Sequence, residues 1–168
     1  MERPHQKFIE LKTCVLMNIK IIAHGKISKG PEFELIQIYL KRFNHKVPKS
    51  SLNTLDIYET GSEEKDYNRK IFEKQKVEKN YIILDEKGEN ISSLEFANYL
   101  NMLSNSGIKD ISIFIGGAHG LPSKIKENAL KSISFSNLVL PHKFIRVILA
   151  EQLYRAKCII SNHPYHKE

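Results

Sequence analysis

The stretch Ile111-Ser112-Ile113-Phe114-Ile115-Gly116-Gly117-Ala118-His119-Gly120-Leu121-Pro122-Ser123 decides the fold. Its first five residues form a short apolar run, the kind found in a strand buried on both faces. Three glycines follow within five residues, and then Pro122 and Ser123 lead into a helix of about 123–132. Such a turn lets backbone approach a ligand closely, because glycine carries no Cβ. The spacing G-G-x-x-G is not the dinucleotide fingerprint, and no Gly-Lys-Ser/Thr follows to make a phosphate loop. On local sequence alone it reads equally well as a tight strand-to-helix turn or as a ligand loop.

The same alternation repeats on both sides. Ile19 to Ala23 is a β-rich run, and Pro31 opens a helix to about 43 with Phe33, Ile36, Leu40 and Phe43 at helical spacing. Leu52 to Tyr58 reads as a second strand, and Thr60-x-x-Glu63 as the capping box of a charged helix reaching about Lys79. Tyr81 to Asp85 is a buried-type strand with Glu86 to Asn90 as its turn, and Ser92-x-x-Glu95 caps a helix that lasts until Gly107. Phe135 to Leu140 reads as a short strand, Pro141 ends it, and 143–159 is a helix apolar over much of its surface. Strands alternating with helices at these spacings predict an α/β fold, a parallel-type sheet flanked by helices. Ligands of such sheets bind beyond the C-terminal strand ends. That rule points to Leu84-Asp85, to Gly116 and Gly117, and to 135–142.

The chain has 168 residues, enough for one domain with its own core. Cys14 and Cys158 are its two cysteines, far apart and in no Cys-x-x-Cys pair, so neither a disulfide scaffold nor a zinc ribbon is expected. No secretory signal and no membrane-length apolar run is evident, and the reading is a cytoplasmic protein without membrane contact. Lys plus Arg number 26 against 19 Asp plus Glu, a formal charge of +7 that favours an anionic partner such as RNA. Lys41, Arg42, His45, Lys46 and Lys49 are the densest basic group, for which a solvated helix end and loop is the plainer reading.

Two further segments could carry chemistry. Glu151 and Arg155 stand four apart on the last helix and can pair, as a plain surface ion pair or as part of a dimer seam. The tail Asn162-His163-Pro164-Tyr165-His166-Lys167-Glu168 holds residues suited to phosphate contact, base stacking or proton transfer. A frayed terminus is the plainer reading of it. His163-x-x-His166 lacks a third ligand, so no metal is expected.

Taken together, Ile115-Gly116-Gly117…Gly120-Leu121, Ser134-Phe135-Ser136, Leu140-Pro141-His142, Arg146-Val147, Glu151 to Ala156 and Asn162 to Glu168 resemble one family. The chain resembles the RlmH family of SPOUT methyltransferases, which act on N3 of a pseudouridine in large-subunit (23S) ribosomal RNA. The resemblance runs from about Met17 to Glu168 and is densest after residue 110. It implies a deep C-terminal trefoil knot, S-adenosyl-L-methionine as cofactor, and a homodimer packed through the knot region and last helix, acting on the assembled ribosome. Carried over by position, the cofactor wall is Leu84, Gly116, Phe135, Ser136, Asn137, Leu138, Val139 and Leu140. His163, His166, Tyr165 and Arg155 are the candidates for catalysis, and His142 is a further candidate base. N3 of pseudouridine must lose a proton before it can attack a methyl carbon, which suits a group of near-neutral pKa. His119 stands at a variable spot and is given no role. Residues 1–16 precede the family's usual start, so they read either as an extension of a single domain at 17–168 or as residues before a true start at Met17. A SPOUT enzyme of another RNA such as tRNA, and a non-catalytic RNA- or ribosome-binding protein, are the competing expectations.

Overall fold

In the computed structural model, residues 15–61, 69–71, 73, 79–117 and 119–165 are described. Five strands, β1 (Met17–His24), β2 (Leu52–Thr60), β3 (Tyr81–Asn90), β4 (Asp110–Ile115) and β5 (Ser132–Ser134), form one sheet in the order β2-β1-β4-β3-β5. Every pairing is parallel. Among the described residues, α1 (Pro31–Asn44), α2 (Ser93–Asn105), α3 (Ser123–Glu127) and α4 (His142–Ile160) are the helices described from end to end. Helix α4 packs against both α1 and α2.

Strand alternation sorts the core into two layers. Ile19, Ile21, Ile82, Leu84, Ile111 and Ile113 face a cluster completed by Phe43, Phe96, Leu149 and Leu153 of α1, α2 and α4. Ile22, Tyr81, Ile83 and Phe114 point to the other side, where Leu121, Ile125 of α3 and Ile71 cover them. Tyr81–Leu84 of β3 and Ile111–Ile115 of β4 are buried on both faces, which is why those stretches read as apolar runs.

The local signals at α1 and α2 are realised. Pro31 occupies the first turn of α1 behind Gly30 at φ 96°. Ser92 and Glu95 form a reciprocal capping box, with the Glu95 carboxylate accepting from the Ser92 amide at 2.7 Å. The expected box at Thr60 cannot be followed, since Glu63 and most of that helix lie outside the described residues. Thr60 is the last residue of β2, and 69–71 are helical.

Three expected boundaries are corrected. Residues 86–90 are not a turn but the second half of β3. The ladder to β5 slips between Leu84 and Glu89 and then resumes as Glu89–Ile133 and Asn90–Ser134. Gly88 makes this possible, because a Cβ there would lie 2.6 Å from the Ile133 carbonyl carbon. The helix expected over 123–132 ends at Glu127, because the next residues are drawn to β3: the Leu130 amide donates to Tyr81 O at 2.9 Å and the Ile83 amide to Lys131 O at 3.0 Å. The strand expected over 135–140 is instead β5 at 132–134. Beyond it, side-chain hydroxyls capture the backbone, the Leu138 amide donating to Ser136 Oγ at 2.9 Å, and the segment leaves the sheet.

Candidate active site

The middle of β3, the C-terminal ends of β4 and β5 with the segments that follow them, and the start of α4 enclose a cleft of about 370 Å³. Clefts of this size suit small molecules and cofactors. Of the eight residues assigned to the cofactor wall, Leu84, Gly116, Phe135, Ser136, Leu138, Val139 and Leu140 line it. Asn137 does not; its Oδ1 accepts from Asn90 Nδ2 at 3.2 Å and ties the loop after β5 to the end of β3. His142 and Ile145 of α4 complete one side, and Leu138 and Val139 are 73% and 83% exposed, wide open to an incoming ligand or chain.

The glycine turn is closed as tightly as backbone allows. Gly120, at φ 74°, donates its amide to Gly117 O at 2.9 Å. A Cβ on Gly116 would lie 2.7 Å from the Gly120 carbonyl carbon. Only glycine permits that approach, and it leaves the Gly116 backbone facing the cleft.

The strand-end rule reached Asp85, but sequence reasoning assigned it no role and missed its neighbours on the charged side of this cleft. Asp85, Glu86, Lys87 and Lys126 line it, as does His119. Lys126 Nζ lies 2.5 Å from Asp85 Oδ2, and the Lys87 amide donates to Asp85 Oδ1 at 3.0 Å. Burial alone would raise the Asp85 pKa, but these two donors outweigh it and hold the carboxyl below its ordinary value. No linear motif announces the pair, because β3 and α3 meet only in the folded sheet.

The candidates for catalysis gather elsewhere. Arg155 donates to Glu151 Oε1 through Nη2 at 2.6 Å and Nε at 3.0 Å, and the Tyr165 hydroxyl donates to the same oxygen at 3.2 Å. The Arg155 guanidinium lies 5.1 Å from the Tyr165 ring centre, and the Tyr154 and Tyr165 rings stand 4.7 Å apart. The end of α4 explains how the tail reaches back. Asn162 takes φ 55°, its amide donates to Ile159 O at 3.1 Å, and the His163 amide donates to Cys158 O at 2.8 Å. This is a Schellman turn, which reverses the chain onto the helix it has just left. His163 is exposed, with Nδ1 accepting from the Tyr165 amide at 3.3 Å. His166 lies outside the described residues.

Burial, with Glu151 close by, pushes the Tyr165 phenol up to about 12. It is therefore neutral at physiological pH, a hydrogen-bond donor rather than a base. The Glu151 carboxylate raises the Arg155 pKa further, so that cation is permanent. Ten residues of α4 separate Ile145 in the cleft from Arg155, roughly 15 Å along the axis. Within one chain, His142 is the candidate base that lines the cleft, and the tail cluster stands apart from it.

Arg146 fixes the angle at which α4 leaves the cleft. It is 3% exposed; Nη1 donates to Gly25 O at 2.8 Å and pairs with Glu59 at 2.8 Å, and Nη2 donates to His24 O. One guanidinium so binds the ends of β1 and β2 to the first turn of α4. Among the described residues no group of three or more His, Cys, Asp or Glu is placed to hold a metal, and no helix is long and apolar enough to cross a membrane.

A family model described as "Predicted SPOUT methyltransferase" matches residues 17–166. The relative named "Ribosomal RNA large subunit methyltransferase H" from Allorhizobium ampelinum is 36% identical over 159 residues, covering 90% of this chain and 99% of its own. One of the same name from Sphingopyxis alaskensis is 38% identical over 152 residues, covering 90% and 98%. A solved structure of a probable methylase family protein from Haemophilus influenzae Rd KW20 is alike in fold, with a TM-score of 0.54 at 15% identity over 92% of this chain and 72% of that one. With the parallel sheet, the glycine turn and the cleft at its strand ends, these matches establish that the chain belongs to the SPOUT methyltransferases.

Proposed function

We propose that this methyltransferase carries the methyl group of S-adenosyl-L-methionine to N3 of a pseudouridine in 23S ribosomal RNA of the assembled ribosome, as a cytoplasmic homodimer. The observation that carries the reading is the cleft: seven residues assigned to the cofactor wall by position meet there, contributed by β3, the turn after β4 and the segment after β5. Its apolar side suits an adenine ring, and the Gly116 backbone offers hydrogen-bonding groups at close range. The relatives' printed name supplies the large-subunit RNA substrate.

The cofactor supplies a methyl carbon on a sulfonium, open to in-line attack by a ring nitrogen. The chain's own task is to orient that attack and to take the N3 proton. His142 is the base candidate in the cleft; His163 and His166 are the candidates of the tail. Arg155, with its charge fixed by Glu151, suits a phosphate or an orienting contact to the base. The homodimer accounts for two further features. Leu138, Val139 and Phe144 expose large apolar side chains on and just before α4, and the tail cluster stands some 15 Å from its own cleft. Packing two copies through this region covers the apolar group and offers each cleft the partner copy's tail. The trefoil knot belongs to the same reading, as part of what the family resemblance implies for the C-terminal region. The single methyltransferase domain of this reading is 17–168.

Mass analysis of large-subunit RNA from cells with and without the gene tests the assignment. Loss of one methyl at the pseudouridine is expected, together with strongly reduced transfer by at least one of Arg155→Ala, His163→Ala and His142→Ala at retained cofactor affinity. An unchanged methyl in a protein that still binds the cofactor redirects the substrate to another RNA such as tRNA. No cofactor binding leaves a non-catalytic RNA-binding role.

A further inference from the structure

The two sides of the cleft differ in chemistry. Phe135, Leu138, Val139 and Ile145 make one side apolar, while Asp85 and Lys126 place a carboxylate and an ammonium side by side on the other. The Asp85 side chain is only 9% exposed, and each of its oxygens already accepts one hydrogen bond, from Lys126 and from the Lys87 amide. A carboxylate oxygen can accept two, so each keeps one site. Lys126 is 40% exposed and uses one of its three N–H groups on Asp85. Its ammonium also lies 3.8 Å from where a Gly120 Cβ would stand, against the glycine turn. The pair is thus held in place from two elements and still has free donors and acceptors.

We propose that Asp85 and Lys126 form the subsite for the α-amino-acid end of S-adenosylmethionine, Asp85 accepting from its α-ammonium and Lys126 donating to its α-carboxylate. This rests on the cofactor reading above and extends it. The residues carried over by resemblance offer backbone, apolar groups and neutral polar groups, none of which answers the two opposite charges of that end. A preformed pair of opposite charges does, since each member faces its complement and both are oriented before the ligand arrives. Lys126 comes from α3, directly after the glycine turn, so the same contact couples binding of the amino-acid end to the position of Gly116 to Gly120.

Calorimetric titration of the full chain tests this with two ligands. S-Adenosylhomocysteine keeps the amino-acid end; 5′-methylthioadenosine keeps adenine, ribose and the sulfur but lacks that end. Asp85→Asn and Lys126→Met are expected to weaken the first at least tenfold and to leave the second within twofold, and Lys126→Arg to recover most of the loss. Equal weakening of both ligands overturns the proposal, because the pair then serves the ribose or only braces α3. Unchanged binding of S-adenosylhomocysteine overturns it as well. Wild-type protein supplies a control that needs no variant to fold: S-adenosylmethionine should bind at least tenfold more tightly than its decarboxylated form, and equal affinity refutes the subsite. Wild-type protein that binds none of these ligands refutes the cofactor reading itself.

Discussion

Gly116 has a role that its neighbours cannot share. A Cβ there would meet the backbone of Gly120 and Leu121 at 2.7–3.0 Å, and backbone in a closed turn cannot swing aside as a long side chain would. Gly116→Ala is therefore expected to cost about 1–3 kcal/mol of stability, in the range of other overpacked sites. Because the strain opens the turn that lines the cleft, cofactor affinity should fall at least tenfold alongside. Urea unfolding and calorimetric titration check the two effects, and unchanged affinity would show that the turn does not shape the binding site. Gly116 was readable from the sequence, since strand, glycines and helix lie in one continuous stretch. Its contact with Gly120 is just as local. Asp85 was indicated only as a strand-end position, and its pairing with Lys126 was not readable, because an ordinary surface lysine acquires meaning only when β3 and α3 pack side by side.

Among the elements, α4 joins the most parts of the fold. Its buried positions include two cations, Arg146 and Lys157, where the sequence pattern shows a largely apolar helix. Lys157 Nζ donates to Phe43 O at 2.6 Å at the end of α1 and to Asn53 O at 3.2 Å near the start of β2. Burial lowers its pKa, so the cation is retained at a cost that these carbonyls offset. Arg146 does the same work at the other end of the helix with the ends of β1 and β2. Arg146→Ala removes the partner of Glu59 and of two carbonyls, and a loss of about 3–5 kcal/mol in urea unfolding is expected. Arg146→Lys should recover less than half, because one ammonium cannot span the three acceptors that a planar guanidinium fork reaches. A loss below about 1 kcal/mol would mean that α4 is held by its apolar face alone. The apolar stripe of α4 was legible at the sequence level through helical spacing. The two buried cations were not, since a basic residue on a helix reads as solvated until its acceptors arrive from distant strands.

For the whole molecule, the formal charge of +7 and the exposed apolar residues beside the cleft bear on assembly. Leu138, Val139 and Phe144 fall within one short span that is continuous with the cleft, and a homodimer would bury them. Phe144→Glu places a charge in that patch and is expected to convert a dimer into a monomer in sedimentation equilibrium, while far-ultraviolet circular dichroism stays unchanged. A wild-type protein already monomeric at working concentration would refute the dimer. If each cleft takes the partner copy's tail, the same variant should lose methyl transfer more steeply than it loses cofactor affinity.

The sequence by itself determined the class of fold and the alternation of strands and helices, because apolar periodicity, capping residues and glycine turns are written in neighbouring residues. It also determined the resemblance, whose motifs keep their order along the chain. Only the tertiary structure decided where β3 and β5 end, since the resumed ladder at Glu89 and Asn90 depends on a partner strand that lies far along the chain. It alone decided that Asp85 meets Lys126, that Arg146 gathers the ends of β1 and β2, and that Tyr165 folds back onto Glu151. The physical reason is common to all of these. Hydrogen bonds and ion pairs between distant segments take their geometry from how the layers pack, and packing is a property of the assembled sheet and helices, not of any stretch within them.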